Sequence, residues 1–149
     1  MSRVFLSLLF ITLALQAAVK WKYMYQFHLK KDEVAKVKIS YRDKKVFLRD
    51  GLFTFRWTLY KNGALITHSS YQKVKAQHVL YKRYKLDTFL LKLVPTPANV
   101  MKDLYMLVVF DSFDKKKKEA AIDIYIKDDD TKILADFIEP SKKKGKDVR

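Results

Sequence analysis

The sequence predicts an all-β fold, an antiparallel β-sandwich of the immunoglobulin-like or C2-like kind with about seven to nine short strands. Three observations predict it. Apolar residues recur at every second position through much of the chain, turn signals return every eight to twelve residues or so, and no long stretch carries helical periodicity.

The first strand is expected over residues 21–29. Trp21, Tyr23, Tyr25, Phe27 and Leu29 share one side, and Lys20, Lys22, Met24, Gln26, His28 and Lys30 share the other. Period two with aromatic residues on one face describes a half-buried strand. The polar break Lys30-Lys31-Asp32-Glu33 follows, then Val37, Ile39 and Tyr41 alternate with Lys36, Lys38 and Ser40. Arg42 to Lys45 reads as a turn, Val46-Phe47-Leu48 as a short strand and Arg49-Asp50-Gly51 as another turn, a spacing that suits antiparallel pairing.

The sharpest local signal is Asn62-Gly63 between Phe53–Leu59 and Leu65–Thr67, because a type I′ hairpin turn needs positive φ at both central residues. A two-residue loop sets Lys61 opposite Ala64, Leu59 opposite Ile66, Trp57 opposite His68 and Phe55 opposite Ser70, with His68 beside Trp57 on the inner side. A longer loop shifts that register and exposes His68. Residues 74–94 are read as two short strands or one bent strand around Tyr81 to Leu86, where a helical turn also fits. The apolar run Leu104 to Phe110 fits a strand buried on both sides or central in a sandwich. After the charged tip Asp114 to Glu119, Ile122, Ile124 and Ile126 alternate with Asp123, Tyr125 and Lys127. Ile133 to Ile138 adds an edge strand or a short helix. Trp57 is the candidate for a core tryptophan, by analogy with other sandwiches.

The domain limits follow from composition. Arg3 and the uncharged stretch Val4 to Leu15, ending at Ala17, read as a signal peptide over residues 1–17. A membrane span needs about 20 apolar residues, and this run is broken by Gln16 and Lys20. Residues 18–140 form the sandwich domain, and 141–149, with four lysines, form a basic tail expected to be disordered. No cysteine is present, so core burial must hold the domain, and a composition 49% hydrophobic and 14% aromatic supplies it. The preference for Lys over Arg with scarce Gly and Pro resembles the usage of AT-rich bacterial genomes, where such a leader leads to the periplasm.

Catalytic and cofactor motifs are missing. His28, His68 and His78 have no zinc spacing. Asp111, Asp114 and Asp128 to Asp130 gather at expected strand ends, where C2-like folds bind calcium, but Lys115 to Lys118 oppose a cation and aspartates commonly end strands. Ser69 and Ser70 adjoin His68, yet neighbours on a strand point to opposite faces, so His68 is poorly placed to activate Ser69. No catalytic, metal or cofactor residue is therefore assigned.

What stands out is charge. Loss of Arg3 with the leader takes the formal net charge from +15 to +14. Lys20, Lys22, Lys36 and Lys38 are expected to share an outward strand face, and Lys82, Arg83 and Lys85, interleaved with Tyr81 and Tyr84, add to it. This combination suits an anionic partner, whereas edge lysines also simply discourage aggregation. The expected role is a non-enzymatic periplasmic interaction or scaffold domain docking on a cell-envelope assembly. The alternative is a binder of an anionic envelope polymer, such as lipopolysaccharide, peptidoglycan or acidic lipid, and a third reading is an unrecognised hydrolase. Nucleic acid is not expected as a partner, a membrane surface is open, and no transmembrane segment remains after cleavage. Architecture and address, rather than any motif, are similar to small exported β-sandwich adaptors of bacterial secretion systems and flagellar motors.

Overall fold

Alternation builds nine strands among the described residues of the computed structural model, which are 20–42, 50–93, 104–128 and 133–140. In chain order they are β1 Tyr23–Lys30, β2 Ala35–Tyr41, β3 Gly51–Lys61, β4 Ala64–Tyr71, β5 Val74–Tyr81, β6 Thr88–Lys92, β7 Tyr105–Asp114, β8 Glu119–Lys127 and β9 Ile133–Ile138. A 3-10 turn, Lys82–Tyr84, joins β5 to β6. The expected leader, the strand Val46–Leu48, Pro95 and Pro97, Asp129, Asp130 and the tail lie outside the described residues.

Two antiparallel sheets face each other, one ordered β1-β8-β7-β6 and the other β5-β4-β3-β2-β9. The fold is a β-sandwich. Phe27, Leu29, Met106, Val108, Phe110, Ile122, Ile124 and Ile126 from the first sheet meet Val37, Ile39, Phe53, Phe55, Trp57 and Leu65 from the second in one core. The Trp57 indole N–H crosses between the sheets to donate to the Leu29 carbonyl at 2.7 Å, so this buried donor is satisfied.

Aromatic contacts seal the borders between the sheets. Tyr25 of β1 stacks on Phe137 of β9 with ring centroids 4.7 Å apart, and its hydroxyl donates to Glu139 at 2.6 Å. Tyr60 stacks on Phe113 at 3.9 Å, and His78 lies flat on Phe89 at 3.7 Å. Tyr41 and Tyr71 both donate to the Leu93 carbonyl, at 2.7 and 3.0 Å, and burial raises the pKa of both phenols. The Tyr71 ring lies over Gly51 so closely that a Cβ there would come within 2.5 Å of it.

The Asn62-Gly63 hairpin forms as expected, with φ of 54° and 83° at its two residues. Its register departs from expectation beyond the first pairs. Lys61 faces Ala64 and Leu59 faces Ile66, but the ladder then shifts between Trp57 and Leu59, so Thr67 faces Trp57, His68 faces Arg56 and Ser69 faces Phe55. A bulge carries Thr58 as an extra residue. Thr67 becomes the buried residue, and half-buried His68 moves to the outer face.

One further expectation is corrected and two open alternatives are resolved. Trp21 does not continue the inward face of β1. It precedes the strand and packs on Tyr105 and Tyr125, which point outward. The run Leu104 to Phe110 lies centrally in its sheet, but only alternate residues from it, Met106, Val108 and Phe110, are fully buried within β7. Ile133–Ile138 is the edge strand rather than the helix.

Candidate functional site

The short connection after β1 carries the chain from one sheet to the other, so β1 and β2 are not paired. Lys20 and Lys22 therefore belong to the four-stranded sheet's side of the sandwich, exposed just before β1 on either side of Trp21, and Lys36 and Lys38 lie on the outer face of the five-stranded sheet. The four lysines do not make one surface. On β2, Lys38 has Asp136 opposite it and Lys36 lies between Thr54 and Ile138.

Lys82, Arg83 and Lys85 occupy the exposed corner between β5 and β6. Lys82 turns back to the Asp111 carbonyl and lies 3.6 Å from the Asp111 carboxylate. Arg83 and Lys85 remain exposed beside Tyr84.

The clearest constellation is one that strand pairing assembles on the outer face of the four-stranded sheet. Met24 pairs with Tyr125, Tyr125 with Leu107 and Leu107 with Leu90, so one apolar row runs across all its strands. Its two ends are open: Met24 is 66% exposed and Leu90 57%. Trp21 lies against the next row, with its ring 5.8 Å from Tyr105 and 5.4 Å from Tyr125. Lys127 sits 5.8 Å from the Tyr105 ring centroid, within cation–π range, and exposed Lys20, Lys22 and Lys92 complete a basic rim. On the far side of the apolar row, Gln26 donates to Asp123 at 2.8 Å. Partial burial, then the Asp123 charge, raise the Tyr125 pKa, so this phenol is neutral at physiological pH.

No known protein family, curated protein or solved structure matches the chain. The chemistry must be read from these residues alone.

The acidic groups at the strand ends have local partners. Asp114 accepts the Lys116 and Lys117 amides at 2.8 and 3.0 Å, and these bonds, the Lys117 one first, hold its carboxyl below the usual range. Asp128 accepts the Ile133 amide at 3.0 Å and fixes the start of β9. Among the described residues, no group of three His, Cys, Asp or Glu side chains converges as a metal site would require. A serine–histidine contact does exist, but with a different histidine from the one the sequence drew attention to. Ser69 Oγ lies 3.2 Å from His78 Nε2 on the inner side of the sheet. Phe89 stacks on that imidazole, and among the described residues no carboxylate is bonded to it as the orienting acid of a hydrolytic triad would be.

Sequence reading missed the apolar row for a definite reason. Its members come from β1, β6, β7 and β8 and are aligned only by inter-strand register. The available signal was Met24, Leu107, Tyr125 and Leu90, apolar residues at positions where alternation expects polar ones.

Proposed function

We propose that the chain is a non-enzymatic, exported interaction domain that docks an acidic protein of a cell-envelope assembly on the outer face of its four-stranded sheet. The observation that supports this most is the Met24–Tyr125–Leu107–Leu90 row, with Trp21 and Tyr105 beside it and lysines at its rim. Protein interfaces combine such a centre, rich in Met, Tyr and Trp, with a polar rim. A net charge of +14 after leader removal favours an acidic partner and speeds encounter with it. The periplasmic address rests on the leader, and mass spectrometry of the native protein should find Ala18 at its start; a retained Met1 in the cytoplasm would overturn the address.

Site-directed photocrosslinking tests the docking face. Crosslinkers replacing Met24 and Leu90 should capture the same defined acidic protein in intact cells, and crosslinkers at Leu52 and Val79, on the other sheet, should not. The product at Leu90 should vanish when Met24→Glu is introduced. Identical products from both sheets, or persistence after Met24→Glu, would overturn the assignment.

A further inference from the structure

The β3 bulge has a chemical consequence on the opposite face. In an unshifted hairpin Trp57 would face His68 and Phe55 would face Ser70, which would turn both polar residues inward. The extra residue at Thr58 sets Arg56 opposite His68 and Thr54 opposite Ser70 instead. On the next strand, Gln77 continues the first row and Lys75 the second. Two adjacent rows, Arg56-His68-Gln77 and Thr54-Ser70-Lys75, thus form a polar grid on the outer face of β3, β4 and β5. Bulges commonly re-aim side chains in this way beside functional sites.

The grid is concave. It floors a groove of about 460 Å³ with half-buried Val34 at one wall, within the range of small-molecule sites. Its two cations stand at diagonal corners, about 12 Å apart at the backbone from strand spacing and rise, with side chains long enough to converge on one ligand. Between them lie hydroxyl, amide and imidazole groups. The Thr54 and Ser70 hydroxyls and the Gln77 amide have no side-chain partner among the described residues. Arg56 lies 3.7 Å from Asp32, with both side chains about half exposed, and such a pair is weak enough to exchange for a ligand anion. Beyond His68 the next row of the same face, Leu59-Ile66-Val79, is apolar.

We propose that this groove binds an acidic sugar, a pyranose carrying a carboxylate or a phosphate. Arg56 and Lys75 would take the anionic group, Arg56 through paired N–H donors. Thr54, Ser70, His68 and Gln77 offer the mixed donors and acceptors that ring hydroxyls require. A bare inorganic anion is too small to reach neutral groups spread over three strands, and an apolar ligand would leave the cations desolvated and unpaired.

Calorimetric titration of the mature protein with glucuronate, glucose 6-phosphate, glucose and inorganic phosphate tests the assignment. At least one acidic sugar should bind roughly tenfold more tightly than both glucose and inorganic phosphate, as expected when a charged group keeps its hydrogen bonds. The tighter of the two acidic sugars identifies the anionic group. Arg56→Gln and Lys75→Gln should each weaken that binding by about tenfold, and amide resonances of His68 and Gln77 should shift on titration. Met24→Glu, on the other sheet, should leave the affinity unchanged. Both tested cations are exposed, so thermal melts should match the parent; should one variant fail to fold, the other gives the reading. Equal affinity for inorganic phosphate, equal affinity for glucose, absence of binding by both acidic sugars, or unchanged affinity in a folded variant would each overturn the proposal.

Discussion

The two outer faces of this sandwich are built by the same alternation and differ in what the cross-strand register places side by side. On the four-stranded sheet, register collects outward apolar residues into the row from Met24 to Leu90 and leaves the lysines at its rim. On the five-stranded sheet, the Thr58 bulge divides an apolar row, Leu59-Ile66-Val79, from the polar rows that follow it. Alternation decides only whether a side chain faces in or out. The chemistry of an outer face is a property of pairing, and one inserted residue changes it.

The largest effect should come from the core on which both faces depend. Trp57 is 4% exposed and its N–H satisfies the Leu29 carbonyl, so Trp57→Ala combines a cavity with a lost buried hydrogen bond. The expected cost is about 3–5 kcal/mol, read by denaturant or thermal unfolding, and both faces should fail together. A cost below about 1 kcal/mol would place Trp57 outside the shared core.

A smaller effect should distinguish the sheets by pH. Burial lowers the His78 pKa from 6.5, so the unfolded chain takes up this proton before the folded one. Stability from this group is complete above the unfolded value and is lost as the pH falls from there through the folded value. Melting temperatures measured at pH 7.5 and 5.5 should therefore fall on acidification, and His78→Gln should reduce the difference. An unreduced difference would assign the pH response to other groups.

Much of the fold was legible because its determinants are local. Alternation in β1 from Tyr23, the Asn62-Gly63 turn and the isoleucines of β8 each appear where the sequence places them. Three features were not legible, and each depends on distant parts of the chain. The break after Lys30 has the composition of a hairpin turn, yet the chain there crosses between sheets, because β8 rather than β2 takes the place beside β1. Trp21 leaves the alternation to reach Tyr105 and Tyr125. The Thr58 bulge carries no glycine to announce it. Its one trace is the adjacent apolar pair Leu59-Tyr60, where strict alternation would allow a single inward residue, and Tyr60 is the one that reaches Phe113.

Replacing the exposed apolar ends of the row should separate docking from folding. Met24→Ser with Leu90→Ser removes side chains that are already mostly in water, so the melting curve should shift by no more than about 0.5 kcal/mol in stability. Docking of the acidic partner should weaken at least tenfold if these residues lie in the interface centre, since truncation there typically costs more than about 1 kcal/mol each. Retained docking would move the interface off this row.

The smallest effects on stability, and the finest division between the faces, belong to the lysines. Lys20 and Lys22 flank the aromatic cluster, and Lys36 and Lys38 lie across the sandwich on β2. Exposed charges of this kind contribute little to folding, so Lys20→Gln with Lys22→Gln, and Lys36→Gln with Lys38→Gln, should both leave the melting temperature nearly unchanged. Docking should respond to one pair alone. Charges at the rim of an interface act mainly on association rate and on its salt dependence, and their reach at physiological ionic strength is about 8 Å. The first pair flanks Trp21, which packs on Tyr125 of the Met24–Leu90 row, whereas the second faces solvent on the opposite side of the sandwich, farther from that row than the roughly 10 Å between packed sheets. Stopped-flow association at low and moderate salt should therefore slow for the Lys20 and Lys22 variant, with a flatter salt response, and match the parent for the Lys36 and Lys38 variant. Equal slowing by both pairs would mean that the partner senses the net charge of the domain rather than one face of it.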